Sequence, residues 1–366
     1  MAFTAQHAIG PASVIRGPEA LDQALGAIGA LMRRPLLVGR SSATRELRQG
    51  VHQALEARGL SPVVAELQWD CCEEDLQPLA ERIRQEGCDG LIAIGGGKVL
   101  DAGKLLAHRL SLPCVTLPTS AATCAGWTAL ANLYSPQGAF RGDVTLARCP
   151  ELLVFDHRLV RQAPPRTLAS GIADAMAKWY EASVSSGASD DGLVQQAVQM
   201  ARVLRDQLLL DGETALADPA TDAWTRVAEA SALTAGVIGG LGGARCRTVA
   251  AHAVHNGLTQ LGATHHLLHG EKVGFGILVQ LRLEEQIGAS RLAAQARRQL
   301  LAFFKALGLP LSLADLGLGR ASLEELQQVC LFACREGSDL HHLPFAVTPD
   351  DLLAALVSTT SERQPA

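Results

Sequence analysis

One short segment constrains the fold of this chain more than any other. The apolar residues 91–94 are followed at once by Gly95, Gly96 and Gly97, and a helical pattern begins near Lys98. Glycines let backbone N–H groups approach phosphate oxygens, and a helix N-terminus directs the positive end of its dipole at them. The spacing differs from the G-x-G-x-x-G fingerprint. The segment therefore predicts a pyrophosphate-binding loop of another type, with a purely structural turn as the alternative.

The first part of the chain alternates short apolar strands with amphipathic helices. Strands are predicted at 36–39, 91–94, 114–117 and 152–155, and the helices between them at 43–58, 73–87 and 99–110. This alternation predicts an α/β domain with an open parallel sheet covered by helices, in which ligands lie at the carboxyl ends of the strands. The glycine loop would lie at such an end.

The rest of the chain has a different pattern. From about Arg158 onward, long segments rich in Ala and Leu replace the β-branched runs. Helices are predicted at 167–186, 190–210, 222–240, 247–260, 271–285, 291–307, 321–335 and 349–360. Pro164 and Pro165 interrupt the pattern near the junction. We therefore predict two domains, a dinucleotide-binding α/β domain over residues 1–160 and an all-helical domain over residues 161–366.

Composition excludes several classes of partner. The formal net charge is −5 with 19% charged residues, and the sequence contains no cluster of Lys and Arg. Nucleic acid and acidic membrane surfaces are therefore not expected as partners. Nine cysteines are scattered without a paired-ligand pattern, which indicates reduced thiols. The N-terminus has no signal-peptide pattern, and no apolar run is long enough to span a membrane. We expect a soluble cytoplasmic protein that acts on a small molecule as a homo-oligomer.

Histidines are concentrated in the helical half of the chain. His252, His255, residues 265–266 and His269 lie within a short stretch among small residues. Asp174 lies in an otherwise apolar helical segment, where burial of an unpaired carboxylate would be unfavourable. One aspartate and two histidines form a plausible divalent metal site with one coordination position open for substrate or water. The cluster therefore predicts a metal centre, although a lone helical histidine is usually a packed or surface residue.

Six segments resemble, in the same order, those of the iron- and zinc-type alcohol dehydrogenases, in particular the glycerol dehydrogenase branch. Dehydroquinate synthase belongs to the same superfamily. The matching segments are residues 95–104, 118–119, 171–174, 252–259, 269–273 and 340–345. The resemblance covers nearly the whole chain. It implies a dehydroquinate synthase-like fold, with an N-terminal dinucleotide-binding domain, a C-terminal helical domain and an active site between them.

The resemblance also assigns residues to the metal and to the nicotinamide cofactor. Asp174, His252 and His269 correspond to the ligands of the divalent metal. Iron-type relatives have a further histidine ligand where this chain has Lys178, so the site is predicted to hold zinc. The positions that correspond to cofactor contacts are Gly95, Gly96, Gly97, Lys98, Asp101, Thr119, Thr128, Leu130 and Tyr134.

Two departures from the glycerol dehydrogenase pattern bear on the substrate. Cys124 stands where those enzymes have an aspartate that binds the polyol. Residues 121–128, 177–182 and 276–280 look closer to the hydroxycarboxylate dehydrogenases, which reduce small 2-oxo acids. Loss of one negative charge and the addition of Lys178 should let the pocket accept a carboxylate. Arg247 and Arg245 are further candidates for that contact, with solvated helix-start arginines as the alternative.

The predicted reaction is hydride transfer between NAD(P)H and a carbonyl carbon, with the metal polarising the carbonyl as a Lewis acid. The proton would come from a water on the metal or from His255, for which a structural hydrogen-bonding role is the alternative. Arg40 and Ser41 stand where NAD-specific relatives place an aspartate that binds the adenosine ribose. An arginine there would attract a 2′-phosphate, so NADP(H) is predicted to be preferred over NAD(H).

Three other functions remain open at this point. A glycerol or polyol dehydrogenase is the nearest alternative. A dehydroquinate-synthase-like cyclase uses the same fold, NAD and a metal, but it needs many basic residues to bind its phosphate-bearing substrate, and few are present. A cofactor-binding protein without turnover would be expected to have lost some metal ligands, and all three are retained.

Overall fold

A computed structural model describes residues 6–359 of the chain. The chain divides into two compact units, Met1–Pro164 and Pro165–Ala366. The predicted boundary between residues 160 and 161 falls inside a short helix, His157–Arg161, which directly follows and packs against a strand of the first unit. The observed division comes after this helix, at the Pro164–Pro165 pair.

The first unit contains a six-stranded parallel sheet with the strand order β1-β8-β5-β4-β2-β3. Its strands are β1 (Ser13–Gly17), β2 (Pro35–Gly39), β3 (Val63–Glu66), β4 (Gly90–Gly95), β5 (Cys114–Pro118) and β8 (Leu152–Asp156). A separate antiparallel hairpin is formed by β6 (Leu130–Tyr134) and β7 (Phe140–Thr145). Every residue of β2, β4, β5 and β8 is buried, as expected for strands covered on both faces. The predicted parallel sheet is confirmed.

In the described part of this unit, five α-helices accompany the sheet: α1 (Ala20–Leu31), α2 (Arg45–Glu56), α3 (Glu73–Glu86), α4 (Gly97–Leu110) and α5 (His157–Arg161). The helices predicted at 43–58, 73–87 and 99–110 correspond to α2, α3 and α4. The edge strands β1 and β3, the hairpin, α1 and α5 were not predicted. The two edge strands have mixed burial patterns, so they lack the continuous apolar runs that mark the central strands.

In the described part of the second unit, the regular elements are all helical, which confirms the predicted helical domain. The α-helices are α6 (Pro165–Ser186), α7 (Gly192–Ala217), α8 (Asp222–Glu229), α9 (Ala235–Gly242), α10 (Ala250–Leu258), α11 (His269–Gln286), α12 (Arg291–Ala306), α13 (Leu323–Ala333) and α14 (Pro349–Ser358). The single helix predicted at 222–240 is interrupted by a π-helical turn over Ala230–Thr234, which separates α8 from α9.

Glycines allow three helices of the second unit to approach closely. A Cβ on Gly270 in α11 would lie 1.8 Å from the carbonyl oxygen of Ser170 in α6. A Cβ on Gly276, also in α11, would lie 2.3 Å from the carbonyl oxygen of Ala251 in α10. These distances are too short for any side chain, so α11 packs against the backbones of both neighbours. The predicted metal ligands lie on these three helices.

Candidate active site

Three side chains of the second unit form a cluster that could hold a metal ion. Asp174 lies in the middle of α6, His252 in the first turn of α10, and His269 is the first residue of α11. Oδ1 of Asp174 is 3.2 Å from Nε2 of His269 and 3.4 Å from Nε2 of His252. One ligand atom from each residue lies within 4.8 Å of the others. The structure thus brings together the three residues that the sequence predicted as ligands.

The burial and the ionisation of the Asp174 carboxylate are those expected of a metal ligand. Its Oδ1 is fully buried and accepts no hydrogen bond with acceptable geometry from the described residues. A buried carboxylate oxygen without a donor is unfavourable unless a cation approaches it. Burial alone would raise the pKa of Asp174, but the Lys178 ammonium and the two imidazoles outweigh burial and hold this pKa well below its ordinary value. The carboxylate is therefore ionised and available, and one oxygen with two imidazole nitrogens suits zinc.

Glu181 is a residue of this site that the sequence analysis missed. Its side chain is completely buried, and its Oε2 lies 2.6 Å from Nδ1 of His252. Burial opposes protonation of His252, but Glu181 and Asp174 raise the pKa of His252 to about 9 in the metal-free protein. A signal was present in the sequence, because Glu181 follows Asp174 by seven residues and thus lies on the same helix face.

His255 lies beside the cluster but is not part of the three-ligand set. Its ring makes an edge contact with the ring of His269, at a centroid distance of 4.2 Å. Its Nδ1 is 2.9 Å from Oδ1 of Asn256. Burial, together with the neighbouring His269 and Lys272, holds the pKa of His255 well below its ordinary value. The imidazole is therefore neutral near pH 7.

Lys178 lies four residues after Asp174 on α6 and is buried. Its Nζ donates a hydrogen bond of 3.3 Å to the carbonyl oxygen of Arg247. The side chain of Arg247 is half-buried and packs against Gly239. Its Nε is buried and makes no hydrogen bond within the described chain. Arg245 is exposed. The structure therefore places Lys178 and Arg247 together and leaves Arg245 at the surface.

The glycine loop of the first unit connects β4 directly to α4. Gly96 is the N-cap of α4, and no atom of the described chain beyond its neighbours lies within 4 Å of a Cβ placed there. A Cβ on Gly95 would lie 2.8 Å from that of Val99, and one on Gly97 would lie 2.9 Å from Oγ1 of Thr123. The amide of Thr119 donates to the carbonyl of Gly95. The loop thus has tight packing behind it and open space at Gly96, as a phosphate-binding turn requires.

Arg40, which directly follows β2, takes part in an ion-pair cluster. Its guanidinium pairs with Asp70, a buried residue that the sequence analysis did not single out. The same carboxylate lies 2.5 Å from Nζ of Lys98, whose ammonium is 4.6 Å from the ring centre of Tyr134. Oγ of Ser41 accepts a hydrogen bond from the amide of Ala43 at the start of a short 3₁₀ turn. Two cations therefore share one buried carboxylate.

Asp101, Thr128 and Leu130 take part in a buried network around Lys104. Nζ of Lys104 is 3.0 Å from Oδ1 of Asp101 and donates to the carbonyl oxygens of Thr128 and Leu130. Oδ2 of Asp101 accepts from the amide of Asn132. This network ties α4 to the hairpin, so the Asp101 carboxylate has an internal role. Its predicted cofactor contact stays a prediction, as does the substrate contact of half-buried Cys124.

None of the helices in the described part of the chain combines the length and the apolar character needed to cross a membrane.

Comparisons with known proteins give a consistent result. Residues 11–157 match the family model for iron-containing alcohol dehydrogenases. An uncharacterized oxidoreductase from Synechocystis sp. is 56% identical over 98% of this chain and 92% of its own length. A glycerol dehydrogenase from Pseudomonas putida is 34% identical over 95% of both chains. Hydroxycarboxylate dehydrogenase A from Escherichia coli K12 is 37% identical over 80% of both chains.

The fold has close counterparts among solved structures. A probable glycerol dehydrogenase from Sinorhizobium meliloti 1021 superposes with a TM-score of 0.84 over 96% of both chains, at 28% sequence identity. The similarity therefore extends over both units.

Proposed function

Because the chain belongs to the iron-containing alcohol dehydrogenase family, we propose that it is a zinc- and NADP(H)-dependent oxidoreductase that interconverts a small 2-oxo acid and its 2-hydroxy acid. The observation that carries the substrate class is Lys178. A buried ammonium has three donors to satisfy, and in the described chain this one donates to one protein acceptor, the carbonyl of Arg247. A substrate carboxylate would satisfy the others.

The charges around Lys178 support this choice of substrate. Lys178 follows the metal ligand Asp174 by one helical turn, so its charge lies close to the place where a carbonyl would be held. Arg247 adds a second cation whose buried Nε is without an acceptor in the described chain. Cys124 replaces the aspartate that binds the polyol in glycerol dehydrogenases. A neutral polyol therefore loses an acceptor, whereas an anionic substrate loses a repulsive charge.

Asp174, His252 and His269 are the residues that would hold the zinc ion. The ion, when bound, supplies a Lewis acid that polarises the carbonyl and stabilises the developing negative charge on its oxygen. The second-unit residues orient the substrate: Lys178 binds its carboxylate, and neutral His255, whose ring contacts that of His269, exchanges a proton with the substrate. An ammonium is a poor metal ligand, so Lys178 supports a three-ligand zinc site over the four-ligand iron type.

The cofactor part of the proposal rests on the first unit. The open space at Gly96 and the N-terminus of α4 would receive the pyrophosphate, and the nicotinamide supplies the hydride. Arg40 and Lys98 share the single charge of Asp70, so this group of three side chains carries one net positive charge. This charge favours a 2′-phosphate, hence the proposed preference for NADPH.

A direct test uses purified, zinc-loaded protein with NADPH or NADH and a set of carbonyl substrates. We expect oxidation of NADPH with small 2-oxo acids to exceed that with dihydroxyacetone or with a neutral ketone of the same size. The proposal is contradicted by an enzyme that reduces the neutral compounds as efficiently as the acids, measured as kcat/KM.

A glycerol or polyol dehydrogenase is the second candidate. The names of relatives such as the Pseudomonas putida glycerol dehydrogenase favour it. The same protein assayed with glycerol and NAD+ separates the two candidates, because a polyol dehydrogenase without the polyol-binding aspartate should still turn over glycerol faster than any 2-hydroxy acid.

The homo-oligomeric state and the cytoplasmic location stay predictions.

A further inference from the structure

The N-terminus of α10 is held by side chains from two other helices. The first amides of a helix have no partner within it. Oε1 of Glu181 in α6 accepts from the amides of Val249 and His252, at 2.7 and 3.0 Å. Oε1 of Gln280 in α11 accepts from the amide of Ala251 at 3.1 Å. Both side chains are completely buried. The first amides of α10 therefore have acceptors from two different helices, α6 and α11.

Of these two side chains, Glu181 also binds the imidazole of His252. Its second oxygen, Oε2, is 2.6 Å from Nδ1. A carboxylate can only accept a hydrogen bond, so Nδ1 must carry the proton. The lone pair of the neutral ring is then on Nε2, the atom that faces Oδ1 of Asp174 at 3.4 Å. One buried carboxylate thus sets both the position of the backbone and the tautomer of the ring.

We propose that Glu181 is a positioning residue for the divalent metal, because it holds His252 in the orientation and tautomer that present Nε2 as a ligand. The inference rests on the metal site of the proposed function and adds a residue to it. Carboxylates that hydrogen-bond a ligating histidine orient the ring and increase its basicity. Glu181 lies 71 residues from His252 in the chain, so the fold alone brings the pair together.

The substitution Glu181→Gln isolates this role. The amide oxygen of glutamine can still accept from the amides of Val249 and His252, which preserves the start of α10. The amide nitrogen would then face Nδ1 as a donor, so the neutral ring must carry its proton on Nε2, where it blocks metal binding. We expect the zinc Kd of E181Q to rise about 10- to 100-fold, measured by competition with a chromogenic chelator, with little change in the Tm of the metal-free protein.

Gln280→Ala is the matched control. It removes a side chain that caps the same helix start but does not touch the imidazole, so it should lower the Tm while the folded protein keeps its zinc Kd within about threefold. If E181Q does not fold, Glu181→Asp serves in its place, because it keeps the charge but withdraws it from the ring. The aspartate variant should show the same selective loss of zinc affinity.

The zinc affinities of these variants have three informative outcomes. A selective rise in zinc Kd for the Glu181 variants supports the inference. Equal zinc affinity in E181Q and wild type, or an equal loss in the Gln280 variant, overturns it while the metal site itself stands. A wild-type protein that binds no zinc at Asp174, His252 and His269 overturns both the inference and the proposed function.

Discussion

Gly276 of α11 lies directly against the carbonyl oxygen of Ala251 in α10. A Cβ at Gly276 would be only 2.3 Å from that oxygen, a distance at which one of the two backbones must move. Ala251 immediately precedes His252, and α11 begins with His269. The spacing between two of the proposed metal ligands therefore depends on a glycine that is not itself part of the site.

The first prediction concerns this contact. Gly276→Ala should destabilise the protein by about 3 kcal/mol, since overpacking of a closely packed interior commonly costs about 1–3 kcal/mol and here the contact is with rigid backbone. Thermal and urea unfolding would measure the loss. Gly192→Ala, at the exposed start of α7 where no atom of the described chain crowds a Cβ, is the control and should be nearly neutral. Similar stabilities for the two variants would show that the helices can separate without penalty.

Metal binding should depend on each of the three proposed ligands. Alanine at Asp174, His252 or His269 is expected to abolish both bound zinc and turnover, because two remaining ligands cannot complete the site. Metal content by mass spectrometry and activity would be measured in parallel. His266→Ala, which removes an exposed imidazole near the same segment, should retain both. Full metal occupancy in the His269 variant would rule out this ligand set.

Removal of the charge at Lys178 should discriminate between substrates. Lys178→Met keeps most of the volume but removes the ammonium, and a lost hydrogen bond to a charged group is worth roughly 1.5–3 kcal/mol. The KM for a 2-oxo acid should therefore rise about 10- to 100-fold, while that for a neutral ketone of similar size changes little. Equal effects on both substrates would show that Lys178 does not bind the substrate carboxylate and acts instead by lowering the pKa of Asp174.

Cofactor choice should respond to Arg40. Arg40→Asp replaces the cation beside Asp70 with a second carboxylate, which would repel a 2′-phosphate. We expect the KM for NADPH to rise about tenfold or more and the order of preference to weaken or reverse, while the KM for NADH is affected less. Steady-state constants for both cofactors test this. A wild-type enzyme that uses NADH as well as NADPH removes the basis for the prediction.

Stability should fall with rising pH through the titration of Glu284. Burial raises the pKa of this side chain in α11 to about 7, against the opposing hydrogen bond from Gln280. The folded protein holds the proton more tightly than the unfolded chain, so this stabilisation is complete below about pH 4.5 and is lost as the pH rises through about 7.

The slope should be absent in Glu284→Gln. Between pH 5 and 7 the wild-type free energy of unfolding should decrease relative to that of the variant by at most about 1.4 kcal/mol per pH unit. Urea unfolding at several pH values would measure the difference. Glu285→Gln changes the neighbouring carboxyl, which pairs with Arg282 and Arg297, and should keep the wild-type slope. Parallel curves for wild type and E284Q would contradict the raised pKa.

Features that depend on local patterns were predictable from the amino-acid sequence. Central strands such as β4 are buried on both faces, so they appear as short continuous apolar runs, and the glycines after β4 mark its turn into α4. The helical periodicity of the second half predicted its architecture. Asp174 and the histidine-rich stretch were recognisable because buried carboxylates and imidazoles are unfavourable unless they bind something, and the resemblance to the alcohol dehydrogenases selected His252 and His269 within that stretch.

Contacts between side chains that are distant in the sequence could be identified only once the helices and strands were placed in three dimensions. Glu181 contacts His252 across 71 residues, and Asp70 pairs with Arg40 across 30. The spacing of Glu181 from Asp174 places it on the ligand face of α6, but local spacing does not show which partner either carboxylate meets. Edge strands such as β3 also escaped the sequence analysis, because one open side leaves them a mixed pattern. Local patterns reflect which face of an element is buried, whereas the partners of a buried charge depend on how the elements pack. For this protein, local patterns were sufficient to predict the central strands and most of the helices, whereas the partners of Glu181 and Asp70 follow from how the elements pack.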